Sequence, residues 1–339
     1  MRKVLEKEIA IIIAGTGGHI FPGIALAEEI REKGRKVFLL GRKRGMEEKI
    51  AEEVGLDFLG YPFFKSLFSF GFFQSIVHCL FLLWRRKPWV IINCGSYASL
   101  PPLLAGIILG LPIYILEQNR IPGRMTKVFA PFARWVFFGF PPQGMTKDKV
   151  IWTGNPIRKR IKKIKERKEE YILVLGGSQG ARSLSLFLKN LARDFPDEQF
   201  LIQVREEDLE KLTEEAPGNC SFFIFTSEIE RILSRAKLVV SRAGGSTVSE
   251  ILYLGLPAVL IPYPYATQNH QEANALFCVG RGCALMIRES EFLKNWEKVK
   301  KVFQSLLRDD EKRKEMGKRA KELSRDGTKI ILERLKIGG

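Results

Sequence analysis

The chain lacks most of what marks a membrane-spanning, disulfide-bonded or metal-dependent protein. Its 339 residues contain no run of 18 or more uninterrupted apolar residues, so no segment reads as a spanning helix. Cysteine is sparse and odd in number, at Cys79, Cys94, Cys220, Cys278 and Cys283, with no C-x-x-C pair; this argues against a disulfide framework and fits a reduced, cytosolic setting. There are only three histidines, His19, His78 and His270, and no D-x-D motif, so no metal site and no cofactor are expected. Low-complexity segments and short-period repeats are missing as well. The N-terminus, MRKVLEKEIAIIIAG, has a charged start, but its short apolar run leads directly into a glycine turn and reads as a first strand, not a signal peptide.

Acidic residues are the outnumbered sign. With 55 Lys+Arg against 38 Asp+Glu the net charge is +17, a balance that favours an anionic partner. No basic tail carries the excess: residues 1–154 hold 21 basic against 12 acidic residues, the remainder 34 against 26. The one polybasic run, NPIRKRIKKIKERKEE at 155–170, is diluted by Glu166, Glu169 and Glu170 and reads as a solvated face at a domain boundary, so no nucleic-acid partner is expected. Length and a 45% hydrophobic content suit two domains, 1–154 and 155–339.

What is abundant is glycine at the ends of apolar strands. In IAIIIAGTGGHIFPG, residues 9–23, Gly15, Gly17 and Gly18 permit a sharp turn and close approach of a ligand to the backbone. A helix opening near Phe21 and Pro22 then offers unpaired N–H groups and a positive dipole end, which suit phosphate or sugar hydroxyls. The design recurs in YILVLGGSQGARSL (171–184), with Gly176, Gly177 and Gly180, and in LVVSRAGGSTVSEIL (238–252). Such loops in both halves lead one to expect a ligand held in a cleft between two similar domains. His19 follows two glycines at a helix entry, where an imidazole can take a proton from an attacking hydroxyl near neutral pH.

Strand patterns fall near 9–15, 36–41, 90–95, 113–118, 135–140 and 150–153, and again near 171–175, 199–204, 221–225, 238–241, 257–262 and 283–287. Helical patterns lie between them; in 20–33, Ile20, Ile24, Ala27 and Ile30 share a face opposite Glu28, Glu29 and Arg31. The alternation predicts an α/β protein with two doubly wound parallel sheets. Amphipathic helices in 290–336 close the structure, the last able to cross back to the N-terminal domain. Residues 61–89 stand apart, with seven phenylalanines and two tryptophans leading to Arg85, Arg86 and Lys87. Lys65, Ser69, Gln74 and His78 interrupt the apolar run, so the segment suits docking on an anionic membrane surface, with Phe68, Phe72 and Phe73 as its apolar face.

Seven segments together carry a family resemblance: GTGGHIFPG (15–23), GSYASLPPLLAG (95–106), EQNRIPGRMTK (117–127), TGNPIR (153–158), GGSQGAR (176–182), SRAGGSTVSEILYLGLPAVLIPYP (241–264) and NHQEANA (269–275). In this order they resemble the MurG family, bacterial transferases that add N-acetylglucosamine from UDP-N-acetylglucosamine to the lipid-linked muramyl-pentapeptide of peptidoglycan synthesis. The resemblance implies a GT-B fold, two Rossmann-like domains facing a cleft. The nucleotide sugar would be held mainly by the second domain, and undecaprenyl-pyrophosphoryl-muramyl-pentapeptide by the first. It also implies peripheral attachment at the cytoplasmic face of the bacterial cell membrane, and a single displacement that inverts the anomeric carbon without metal.

Residue by residue, the resemblance places Thr16, Gly17 and Gly18 beside the donor sugar and Asn119 and Arg158 in the cleft. It places Ser178 on a phosphate and Thr226 where the backbone reads uracil. Gly245, Ser246, Thr247, Val248, Ser249 and Glu250 would form the nucleotide loop and helix, with Glu250 gripping the ribose, and Gln271 would bond the sugar. His19 and Glu117 are the candidate acid or base. Thr247 to Glu250 also fits a T-x-x-E capping box, the structural alternative for Glu250. Two positions depart from the family: Leu116 replaces a histidine before EQN, and Gly95-Ser96-Tyr97 replaces Gly-Gly-Tyr.

Other classes fit less of the chain. An NADP-dependent oxidoreductase needs glycine where Ile20 stands, although Arg42 at the second strand's end would suit a 2′-phosphate. A UDP-sugar epimerase of similar fold needs neither lipid acceptor nor exposed aromatic segment. A non-catalytic membrane adaptor leaves the glycine loops unexplained.

Overall fold

The structure, a computed structural model, describes residues 8–337 except positions 63, 65, 68, 147, 166, 167 and 178–180. Ser178 and Gly180 of the second glycine turn, and Lys65 and Phe68 of the aromatic segment, lie outside the described residues. The chain divides into two compact units, Met1–Lys159 with Arg325–Gly339, and Arg160–Ser324.

The first unit is built on seven strands: β1 (Ile9–Ile12), β2 (Val37–Arg42), β3 (Asp57–Tyr61), β4 (Val90–Asn93), β5 (Ile113–Glu117), β6 (Ala133–Phe138) and β7 (Val150–Trp152). All pairs are parallel, in the order β3-β2-β1-β4-β5-β6-β7. β1 and β4 are buried along their whole length, as expected of apolar runs covered on both faces by helices. The helices used below are α1 (Gly17–Glu32), α2 (Met46–Glu53), α3 (Phe70–Arg86), α4 (Leu100–Ile108) and α5 (Arg124–Phe129). One face of the sheet packs Ala10, Ile12, Ile91 and Ile115 against Cys79, Leu83, Leu103 and Phe129 of α3, α4 and α5.

The second unit has six parallel strands, β8 (Tyr171–Leu175), β9 (Phe200–Gln203), β10 (Cys220–Phe223), β11 (Ala236–Ser241), β12 (Ala258–Leu260) and β13 (Leu285–Met286), in the order β10-β9-β8-β11-β12-β13. Around them lie α6 (Arg182–Ala192), α7 (Gly245–Leu254), α8 (His270–Val279), α9 (Trp296–Leu307) and α10 (Asp310–Leu323). Its core joins Ile172, Val174 and Val240 to Leu184, Leu188, Phe303 and Met316. A last helix, α11 (Thr328–Arg334), belongs to the first unit. Arg325 lies 3.6 Å over the Trp152 ring and Arg334 4.5 Å over Trp135. Asp326 Oδ1 accepts from the amides of Ile157 (3.3 Å) and Thr328 (3.1 Å), which pins the Thr153–Arg158 segment to the chain's C-terminal stretch.

Two local readings change. The short edge strand β3 was not expected: DFLGY shows no clean alternation, and Gly60 inside it is required because a Cβ there would come 2.5 Å from Lys43 Cγ. The first helix opens at Gly17, not near Phe21, with Thr16 as its N-cap residue.

Both sheets have a switch point, where successive crossovers leave in opposite directions and the strand ends part. In the first unit it lies between β1 and β4, and in the second between β8 and β11.

Candidate active site

The glycine turn of residues 15–18 leaves the carboxyl end of β1 at the first switch point, beside the loop 94–99 that leaves β4. Gly15 has φ +103°, and a Cβ there would approach Ser96 Oγ to 2.5 Å; Gly95 has φ +95°, and a Cβ there would sit 3.0 Å from His19 Nδ1. Glycine at both positions therefore lets two backbones close around one imidazole. Gly23 in α1 plays the packing part, since a Cβ would meet Ile13 Cγ2 at 2.3 Å and Cys94 Sγ at 3.0 Å. Burial pushes the Cys94 thiol up to about 12, so it packs as a neutral apolar group. Tyr61, at the end of β3, holds the second loop by donating its hydroxyl to Ala98 O at 2.6 Å.

His19 is half-buried, and its Nδ1 lies 2.9 Å from Cys94 O and 3.0 Å from Gln118 Oε1. Asn119 and Arg158 come from the same unit; Arg158 stacks 4.3 Å over the Phe21 ring of α1. Glu117, at the end of β5, is buried, and both its oxygens are engaged. Oε1 accepts from Asn119 N (3.1 Å) and Nδ2 (3.2 Å), and Oε2 from Gly123 N (2.9 Å) and Thr126 Oγ1 (2.6 Å). These four donated bonds tie the 118–126 loop to the end of β5. Thr16 and Gly18 are exposed at the turn, and Gly17 is buried.

A buried charge supports this turn from behind. Glu47 of α2 is fully buried and accepts from Arg42 N (3.1 Å) and Nε (2.8 Å), while an Arg42 terminal nitrogen donates to Gly15 O at 3.3 Å. The bond to Glu47 raises the Arg42 pKa further above its already high value, so the guanidinium stays charged. Arg42, the residue that would suit a dinucleotide 2′-phosphate, thus has a carboxylate partner within the fold.

In the second unit Gly244 is the N-cap residue of α7, so Gly245, Ser246 and Thr247 form its first turn. Thr247 lies inside the helix and Glu250 six positions along it, so the capping-box reading of T-x-x-E is wrong. Glu250 is 7% exposed, and Ser246, Val248 and Ser249 are buried beside it. Gln271 of α8 accepts through Oε1 from Ala243 N (3.2 Å) and Tyr263 N (2.9 Å), fixing the loops after β11 and β12. Asn274, one turn on, donates to Ala243 O at 3.0 Å. Thr226 is half-buried after β10, its hydroxyl accepting from Glu228 N at 3.1 Å.

Sequence reasoning missed Arg242. Its terminal nitrogens donate to Ile261 O (3.3 Å), Pro262 O (3.4 Å) and Ser183 Oγ (3.2 Å) and pair with Glu289 Oε2 at 2.7 Å, bracing the third glycine loop. The signal was present in the sequence, an arginine two positions before the glycine pair Gly244-Gly245.

The aromatic segment forms α3. Phe72, Ser75, Cys79 and Leu83 face inward, while Phe70, Phe73, Val77, Phe81 and Trp84 recur at three- and four-residue spacing on the outside, Phe70 being 84% exposed. Phe72, expected on the apolar face, instead packs edge-on to Phe64 at 5.1 Å. Arg86 is taken by Glu8 (2.7 Å) and Asp57 (2.6 Å), leaving Arg85 and Lys87 as the exposed basic residues of the original cluster. Among the described residues no helix is long and apolar enough to cross a membrane.

Residues 9–138 match the model of the glycosyltransferase family 28 N-terminal domain, and residues 171–331 that of its C-terminal domain. With two doubly wound parallel sheets, these matches define a glycosyltransferase of the GT-B class. A UDP-N-acetylglucosamine--N-acetylmuramyl-(pentapeptide) pyrophosphoryl-undecaprenol N-acetylglucosamine transferase from Halothermothrix orenii is 33% identical over 92% of this chain and 93% of its own length. The crystal structure of MurG from Acinetobacter baumannii superposes with a TM-score of 0.77 at 25% identity, covering 97% of this chain and 99% of that one. A UDP-GlcNAc 2-epimerase from Neisseria meningitidis shares the fold, with a TM-score of 0.69 at 15% identity over 98% of this chain and all of its own. The chain belongs to the MurG family.

Proposed function

We propose that this chain transfers N-acetylglucosamine from UDP-N-acetylglucosamine to the 4-hydroxyl of undecaprenyl-pyrophosphoryl-muramyl-pentapeptide, in peptidoglycan synthesis. The observation that carries this reading is the family relationship along more than nine-tenths of the chain, with a histidine set into the first switch point. The hydroxyl oxygen forms a bond to the anomeric carbon while the bond to the diphosphate breaks and its electron pair leaves with UDP. His19 Nε2 takes the hydroxyl proton, and the configuration inverts. Thr16, Gly17, Gly18, Asn119 and Arg158 contact the reacting sugars. Ser178, the amides of Gly245 and Ser246 and the α7 dipole hold the diphosphate. Glu250 grips the ribose, the backbone at Thr226 reads the uracil, and Gln271, its oxygen already engaged, turns its amide nitrogen to the sugar.

The outer stripe of α3, with Ile108, Val128 and Phe132 also exposed in the same unit, suits the surface of an anionic bilayer at the cytoplasmic face of the cell membrane, with Arg85 and Lys87 at the headgroups. Incubation of the purified protein with donor and lipid acceptor tests the transfer. UDP release that requires the acceptor is expected, and a 2-epimer formed without acceptor would establish the epimerase reading instead. Replacing Phe70, Phe73 and Trp84 by Ser is expected to abolish cosedimentation with anionic vesicles while the melting temperature holds. Unchanged cosedimentation would remove α3 from the membrane.

A further inference from the structure

We infer that Gln118, a residue the sequence reading passed over between Glu117 and Asn119, is a positioning residue that fixes the tautomer of His19. Its side chain is 2% exposed. The amide nitrogen donates to Cys94 O at 2.9 Å and to Leu116 O at 3.0 Å, and these two carbonyls leave the amide only one orientation. The amide oxygen is thereby turned toward His19, 3.0 Å from Nδ1, and Cys94 O lies 2.9 Å from the same nitrogen. Both neighbours of Nδ1 are acceptors without a proton to give. The neutral ring must therefore carry its hydrogen on Nδ1 and present Nε2 as a lone pair.

That is the tautomer a general base needs, because a ring protonated on the substrate side cannot accept the hydroxyl proton. Gly95 belongs to the same device: any side chain there would press on Nδ1 and Cε1, 3.0 and 3.1 Å from the added carbon. Gln118 thus links the ends of β4 and β5 to the turn after β1, and gives the family's E-Q-N segment a task that does not touch substrate. The inference rests on the proposed role of His19 for its catalytic consequence, but not for the tautomer itself.

With only three histidines in the chain, protein labelled with 15N-histidine gives a spectrum in which His19 is assigned by its loss in His19→Ala. The tautomer is read from the limiting 15N shifts, at a pH where raising it further changes them no more. The native protein is expected to show a protonated Nδ1 and a bare Nε2. Gln118→Met is expected to shift the ring toward the Nε2–H form and to lower kcat about tenfold to a hundredfold, part of the range a positioned base supplies, with KM for the donor held. Losing the donors to Cys94 O and Leu116 O lowers the melting temperature, and the assay is run well below it. Should Gln118→Met fail to fold, Gln118→Asn withdraws the amide oxygen by one methylene and carries the same readouts. An Nε2–H ring in the native protein, or an unchanged tautomer in the folded variant whatever kcat does, overturns the inference. A tautomer that shifts as expected while His19→Ala retains nearly full turnover sustains the positioning role and overturns the base role of His19.

Discussion

The two glycine loops at the two switch points have the same build and different contents. Each follows a strand buried along all or nearly all of its length, each opens a helix, and each is held by an arginine that also pairs with a carboxylate, Arg42 with Glu47 and Arg242 with Glu289. The first loop carries an imidazole whose nitrogens are distinguished by their neighbours. The second carries no titratable group in its first turn and places buried Glu250 one and a half turns along α7. One scaffold thus carries an imidazole in the first unit and a surface of amides and hydroxyls in the second, and the side chains set into the turn decide which.

The braces differ in how completely they are buried, and breaking them should show it. Glu47 has no exposed surface, so Arg42→Met leaves a buried carboxylate without its cation, at an expected cost of about 3–5 kcal/mol. Glu289 keeps 19% of its side chain exposed, so Arg242→Met should cost less, about 1–3 kcal/mol, chiefly through the donors lost to Ile261 O and Pro262 O. Native-state hydrogen exchange of the β2 and β11 amides reads each unit separately. Equal losses would mean that the two braces are equivalent and the difference in burial is without consequence.

Function should divide along the same line. His19→Ala is expected to lower kcat by about a hundredfold or more with UDP affinity unchanged, the scale of a positioned general base. Glu250→Ala is expected to weaken UDP binding by about tenfold to a hundredfold, the loss of hydrogen bonds to a charged acceptor, with kcat at saturating donor nearly kept. Calorimetric titration with UDP and steady-state kinetics on both variants give the split. A His19 variant that loses UDP affinity as much as turnover would show that the first loop binds nucleotide as well.

How much of this was legible in the sequence follows from whether a feature is local. The alternation of apolar strand and helix gave the two parallel sheets, because strands covered on both faces must be continuously apolar, as IAII and YILVL are. β3 escaped because its five residues lie at a sheet edge and merge into the aromatic segment that follows. The inward turn of Phe72 and the outward turn of Phe70 needed the helix phase, which begins at Ser69 through its hydroxyl accepting from Phe72 N at 3.3 Å. Glu117 stood out because Leu116 takes the place of a histidine before it, but its hydrogen-bond partners Gly123 and Thr126, six and nine residues on, were not legible until the loop folds back upon it. Gln118 reaches His19 across 99 positions, a contact that only the strand order β1-β4-β5 creates.

The smallest expected effect concerns Ser96, in the loop after β4 that closes on the first glycine turn. Ser96 has φ +77° and ψ +146°, a region that glycine enters freely and a residue with a Cβ does not, so holding it there costs about 1–3 kcal/mol. Its hydroxyl returns part of that by accepting from Ala98 N at 3.3 Å. Ser96→Ala keeps the strain and loses the bond, whereas Ser96→Gly loses both, so the glycine variant should be the more stable of the two by about 1–3 kcal/mol, less the greater freedom of glycine in the unfolded chain. Urea midpoints of the two variants measure this difference. A glycine variant no more stable than the alanine variant would mean that the loop after β4 bears no strain at Ser96, and that its geometry is set entirely by Gly15, Gly95 and the imidazole they enclose.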